Sequence, residues 1–441
     1  MRCWPTKRGW KRLAIGLSIV VALGLIANAS MAWFTERRLQ KKIAAVRADG
    51  DPASIRDLAP EPIADAENAA VYLDRIEASL DAFDKDCGQF GESAPGKAYF
   101  QSQIRGEPAT SEQIAAVRAI LEKYPEIDSG LAEASACQKY ASRLDFSLGH
   151  AEFLEEILPA MTRIRSVARF VQWKAWILTI DGQSKEAAER GIRLLRLVRL
   201  HESEPTVIAF LVAAAARGIA STTLYDTLAA GTITTEQHAA LDSELARHDD
   251  PHRLVRALKT ERAFGISAFD SLLGRANPVL NKLLAWPIKR DWILVLDYYD
   301  VLLPLTARPW LEAHEQVGDT LSAPERENSG TMAQMIMPAI QSIYDANARN
   351  LTVVRALRVF NAMRQYAEQN GHDARDLSDL SLPGRATIDP FSGEPLRRKH
   401  VDEGWIIYSV MHNGIDDDGD FVQLKDFGLA PRGHRATEKR D

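Results

Sequence analysis

Leu13 to Phe34 reads LAIGLSIVVALGLIANASMAWF, twenty-two residues without an ionisable side chain. At a rise of 1.5 Å per residue, about twenty apolar residues cover the roughly 30 Å hydrocarbon layer, so the stretch is expected to be a transmembrane helix. Arg2, Lys7, Arg8, Lys11 and Arg12 precede it without an acid, and Arg37, Arg38, Lys41, Lys42 and Arg47 follow it, diluted by Glu36 and Asp49. The acid-free flank favours a cytoplasmic N-terminus, with the body periplasmic or otherwise extracytoplasmic. Export followed by signal cleavage is the alternative. Ala27-Asn28-Ala29 or Ser30-Met31-Ala32 would then be the small-residue site, although the apolar run resumes through Trp33 and Phe34 as an interfacial anchor would.

Working outward from this segment, 441 residues allow two or three domains with real cores. A net charge of -6 with 26% charged residues offers no basic stripe, which argues against nucleic acid as a partner. The expected layout is a basic cytoplasmic tail at 1–12, the anchor at 13–34, a charged stalk at 35–60, and a helical domain at 61–338. A helix with a small sheet follows at 339–430, and then a flexible tail at 431–441. Of the three cysteines, Cys3 falls on the cytoplasmic side, and Cys87 and Cys137 are an exported pair free to form a disulfide or to sit as separate buried thiols.

Ala69, Tyr72, Leu73, Ile76 and Leu80 recur at helical spacing, and the glycines between Asp84 and Glu107 suggest a loop. From about 110 to 275 the pattern is helix after helix, with Gly182 suited to a left-handed turn between two of them. Val207 to Ala216 reads as a short buried helix ended by Arg217. Paired helices with short turns resemble tetratricopeptide units in one place only, at Ala175, Gly182 and Glu186-Ala187, without a 34-residue period. WILVLDYYDVLLPL carries Asp297 and Asp300, which excludes a second span and leaves either an acid/base pair or solvated carboxylates. Thr320 to Gly330 reads as an exposed loop, and a long helix is expected from about Ala339 to Asn370.

The final region, DPFSGEPLRRKHVDEGWIIYSVMHNGIDDDGDFVQLKDFGL from Asp389 to Leu429, changes to strand-prone and turn-rich character. The preceding helix with Asp389-Pro390-Phe391, Gly393, Pro395-Leu396, Gly404, Ile407-Tyr408-Ser409, Asn413-Gly414, Gly419 and Asp426-Phe427 resembles the globular end of major pseudopilins of type II secretion. That resemblance implies a calcium-binding loop with ligands among Asn413, Asp416, Asp418, Asp420 and Asp426. The pseudopilin start is absent, since Gly9 is followed by Trp10 and the first acid is Glu36. The whole layout is similar to bacterial membrane-anchored envelope proteins, a likeness that carries no activity with it. From the residues themselves, crowded carboxylates are relieved either by water or by a hard cation that takes oxygen ligands. The spacing is not that of an EF-hand: with Gly419 sixth, Gly414 and Lys425 fall at positions one and twelve.

No G-x-S-x-G, H-E-x-x-H, Walker A or G-x-G-x-x-G occurs. His248 and His252 are separated by Asp250-Pro251, and His201-Glu202 and His314-Glu315 lack a second histidine at metal spacing. The fold expected is mainly α, with an N-terminal transmembrane helix, a helical-hairpin body and a small C-terminal α+β module. The expected role is structural or interaction-based in the cell envelope, with an envelope protein as partner. An exported hydrolase with a site assembled from distant residues is the alternative, and no catalytic residue is singled out.

Overall fold

The computed structural model describes residues 7–275, 286–322 and 331–435. The first helix, α1 (Lys7–Ala48), contains the whole apolar stretch and does not stop at its end. Side chains from Leu13 to Ala27 are exposed, and from Asn28 a half-buried stripe begins that continues through Ala32, Thr35, Leu39, Lys42, Ile43 and Val46. These positions recur three or four apart, which places them on one helix face. The segment read as a stalk is therefore helical and docked: Leu39, Ile43 and Val46 are at most 5% exposed.

Among the described residues α1 is followed by α2 (Ala69–Arg75), α3 (Glu77–Glu92), α4 (Ala94–Arg105), α5 (Ser111–Leu121), α6 (Pro125–Ala136), α7 (His150–Ile180), α8 (Ser184–His201), α9 (Val207–Ala230), α10 (Thr235–His248), α11 (Arg253–Arg275), α12 (Trp286–Thr306), α13 (Trp310–Ser322) and α14 (Thr331–Asn370). Helices α7, α8 and α9 pack against one another, α14 crosses α9 and α10, and α12 lies along α1. Leu194, Leu195, Val198, Leu224, Leu241, Val354 and Leu357 meet in one continuous apolar core. A second core joins the stem of α1 to α11, α12 and α13 through Leu39, Ile43, Trp292, Leu296 and Ala313.

Two regions depart from the sequence reading for identifiable reasons. The glycine-rich stretch after Asp84 is helical because its glycines allow close approach. A Cβ on Gly96 would lie 1.7 Å from the Phe90 carbonyl oxygen, so α4 folds back on α3 only where no side chain intervenes. Arg217 does not end α9; the helix runs on to Ala230, and Arg217 is fully buried among partners that compensate its charge. The expected loop from Thr320 lies partly in α13, and 323–330 are outside the described residues.

Strands β1 (Arg397–Val401), β2 (Gly404–Ser409) and β3 (Phe427–Leu429) form an antiparallel sheet in that order, with Arg397 opposite Tyr408 and Ile407 opposite Leu429. Ile407 and Leu429 join the main core beside Phe360 of α14. The Tyr225 hydroxyl of α9 donates to the Trp405 carbonyl, and its ring stacks on Phe360 at 4.4 Å. The last turn, α15 (Arg432–Arg435), falls where a free tail was expected, yet Arg432 and Arg435 both bind Asp226 of α9. Gly433 seats against Gly106, whose φ of +70° ends α4 and where a Cβ would come within 2.5 Å of the Gly433 Cα. Residues 436–441 lie outside the described residues.

Candidate functional site

The Asp389-Pro390-Phe391 corner joins the end of β2 to the bundle. Asp389 is buried, and its carboxylate accepts hydrogen bonds from the Phe391 amide at 2.9 Å, the Ser392 hydroxyl at 2.9 Å and the Val410 amide at 3.2 Å. This fixes Phe391 against Trp310 at 4.7 Å and His412 at 4.9 Å. Trp310 also stacks flat on His314 at 3.9 Å and donates its indole N–H to Asp345 at 2.9 Å. The corner therefore bonds the terminal module to α13 and α14 through buried rings and a satisfied carboxylate.

The five residues singled out for calcium lie between 413 and 426, and each makes contacts of its own. Asn413 donates to Asp417 at 2.9 Å and accepts from the Ile415 amide at 3.1 Å. Asp416 accepts from the Tyr408 hydroxyl at 2.8 Å and the Asp418 amide at 3.0 Å. Asp418 pairs with Lys399 at 2.5 Å and Asp420 with Lys425 at 3.0 Å. Local turn bonds and lysines thus meet most of the acceptor demand, as short polar side chains in turns commonly do. Among the described residues, no group of three or more His, Cys, Asp or Glu is arranged to hold a metal ion. Asp426 differs from the others. It is fully buried, its Oδ2 accepts from the Gly419 amide at 2.8 Å, and its Oδ1 has no hydrogen-bond partner of sound geometry. Burial, helped by nearby Asp416 and Asp417, raises its pKa, and the amides of Gly419 and Asp417 only partly oppose that.

Beside the corner, a cleft of about 580 Å³ opens between the α12–α13 turn, α14 and residues 385–393. Trp310, Leu351, Pro390 and Arg355 are among its walls. Arg355 grips Asp249 through two bonds of 3.1 and 2.9 Å and donates to the Ile388 carbonyl at 2.8 Å. The Tyr344 hydroxyl and Asn347 Oδ1, on α14 residues that line this cleft, are buried without a hydrogen-bond partner among the described residues.

The other sequence candidates resolve as structural groups. Asp297 and Asp300 face α1, where both pair with Lys42 and Asp297 also takes Arg38 at 3.1 Å. Cys87 and Cys137 are two buried free thiols rather than a bridge, and burial pushes the Cys87 thiol up to about 12. His248 is buried and accepts from Arg217 at 2.8 Å, and His252 lies beyond the break after α10.

Two polar groups were not singled out from sequence. Arg217 binds His248, Asn350 and Glu202, and Glu202 also takes Arg253 at 3.2 Å. Burial pulls Arg217 down to about 10. Five segments meet here, from the end of α8 to α14, and the signal available was a lone arginine inside an apolar run. Near the C-terminal end of α8, His201 is buried with neither ring nitrogen hydrogen-bonded, and burial lowers it to about 4. Glu204 accepts the Ser142 amide at 2.7 Å, and burial raises its pKa. The Ser142 hydroxyl has no hydrogen bond to His201, so this group lacks the nucleophile-to-base contact that acyl transfer requires.

Comparison with known proteins finds no matching family model, no matching curated protein and no matching solved structure.

Proposed function

We propose that this chain is a single-pass membrane-anchored protein of the bacterial cell envelope, with a cytoplasmic N-terminus and an extracytoplasmic helical body that acts by binding a partner rather than by catalysis. The observation that carries the reading is the continuity of α1: fully exposed apolar side chains from Leu13 to Ala27 pass without a break into a stem whose Leu39, Ile43 and Val46 are core. An exposed face this apolar is stable only in lipid or against another protein. The partner-binding part of the proposal rests on the Trp310–Tyr344–Asn347 cleft, which combines apolar walls with unpaired buried polar atoms. The pseudopilin-like reading of the terminal module is supported by the long α14 with a three-stranded antiparallel sheet laid on its second half.

Alkaline carbonate extraction of membranes, together with protease digestion of intact spheroplasts, tests the anchor and its direction. The protein should stay with the membrane and lose its body to external protease. Release by carbonate, or a body protected until lysis, would overturn the reading.

A bound calcium ion in the 413–426 loop is a second reading, favoured by the buried Asp426 carboxylate, which lies close to Asp416 and Asp417. Calorimetric titration of the full-length protein should show heat that Asp426→Asn abolishes. No heat up to millimolar calcium would end it.

A further inference from the structure

Packing between α1 and α12 fixes how deeply the body sits. Asn28, Glu36, Arg38 and Lys42 meet Trp286, Lys289, Asp297 and Asp300 in ascending order, so the two helices run parallel and α12 starts at the level of Asn28. The Trp286 indole donates to Asn28 at 3.0 Å, and Asn28 stands inside the apolar stretch. Trp33 and Phe34, more than half exposed, lie a turn or two higher. Trp33 and Phe34 mark the level at which aromatic rings collect at a membrane interface, and the start of α12 lies about 9 Å below them. On the reading of α1 as a membrane span, the body thus touches the outer leaflet through the start of α12.

Directly above, a cleft of about 710 Å³ opens between α1, α11 and α12. At 1.5 Å per residue, Arg38 stands about 6 Å above Phe34, at the height of lipid phosphates, and Lys41 about 10 Å above it, from where its long side chain can reach down toward them. Its lining carries five cations, Arg38, Lys41, Lys42, Lys259 and Arg262, against three acids, Asp49, Asp51 and Asp300. Lys259 and Arg262 neutralise Asp51 at 2.7 and 2.8 Å, and Lys42 is taken by Asp297 and Asp300. Arg38 shares Asp297 and is 63% exposed, and Lys41 has no acid partner among the described residues. The inner walls, Val46, Val255, Leu303 and Pro304, are apolar. An open cationic rim over an apolar floor, at phosphate height and beside lipid, suits an amphipathic anion.

We infer that this cleft binds the headgroup of an acidic glycerophospholipid, with Arg38 and Lys41 on the phosphate and the apolar floor against the glycerol and first methylenes. The inference rests on the membrane-span reading. Full-length protein is reconstituted with phosphatidylcholine alone or mixed with phosphatidylglycerol. Flotation reports insertion, and native mass spectrometry reports lipids retained after detergent release. Insertion into both vesicles is expected, with preferential retention of phosphatidylglycerol that Arg38→Gln/Lys41→Gln weakens by about fivefold per charge removed. Both side chains are exposed, so an unchanged melting temperature would show that the variant is folded. Flotation with both vesicles but equal retention of the two lipids overturns the lipid site alone. Failure to float with either overturns the anchor as well. Displacement of retained phosphatidylglycerol by inorganic phosphate with no dependence on Arg38 and Lys41 also overturns the proposal.

Discussion

Two ionic clusters join helices in this molecule, one around Arg217 inside the bundle and one around Lys42 between α1 and α12. Both use basic side chains against carboxylates, but water reaches them differently: Arg217 is 0% exposed and Lys42 26%. In the interior each charge has lost its hydration, so a partner removed leaves an uncompensated ion and the cost is large. On the flank, solvent screens the pairs, and their worth to stability is small. The inner cluster therefore fixes which helices meet, and the outer one, with Arg38 and Lys42 shared between Asp297 and Asp300, adds little to stability.

The largest effect that would test this contrast is Arg217→Ala. It strands Glu202 with Arg253 alone and leaves His248 and Asn350 unmatched, and should cost about 3–5 kcal/mol in chemical denaturation. A loss below about 1 kcal/mol, the range of exposed pairs, would erase the distinction between the clusters.

Acid should act next on the interior. His201 titrates near 4 when folded and near 6.5 when unfolded. Between those values the unfolded chain takes up the proton and the folded one does not, so stability falls as pH falls. The loss from this one group between pH 7 and pH 5 is about 2 kcal/mol. Burial and neighbouring arginines shift His248 the same way, and burial shifts Glu204 oppositely. Comparing wild type with His201→Gln isolates the histidine, and the variant should show the shallower acid slope.

The smallest effect is expected on the flank. Lys42→Gln removes both pairs to α12, yet should cost less than about 1 kcal/mol. A cost comparable to Arg217→Ala would mean that the flank is as dry as the interior.

The same contrast explains what could be read from the sequence. Apolar stripes such as Leu195, Val198, Val354 and Leu357 mark helices and their buried faces because burial imposes the 3.6-residue period. The terminal sheet was legible in the strand-prone, turn-rich character of Asp389 to Leu429, within which β1, β2 and β3 all fall. Arg217 was misread because a charge usually leaves the core, and its partners come from α8's end, α10 and α14. The glycines of α3 and α4 were misread as loop because sequence does not distinguish a flexible glycine from one needed for contact. The acids from Asp416 to Asp420 are neighbours in the chain, but turn geometry sends them to different partners. Nothing local to Asn28 announced the seam with Trp286, because that contact spans the length of the body.

The helix that begins at Lys7 has no proline or turn before Ala48. At 1.5 Å per residue it is a rod of roughly 63 Å, gripped by the body along its second half. On the proposed reading of α1 as a membrane span, a rod so clamped is a lever rather than a tether, and thinning or thickening the bilayer, which tilts a span to match its apolar length, would swing the entire bundle through the same angle.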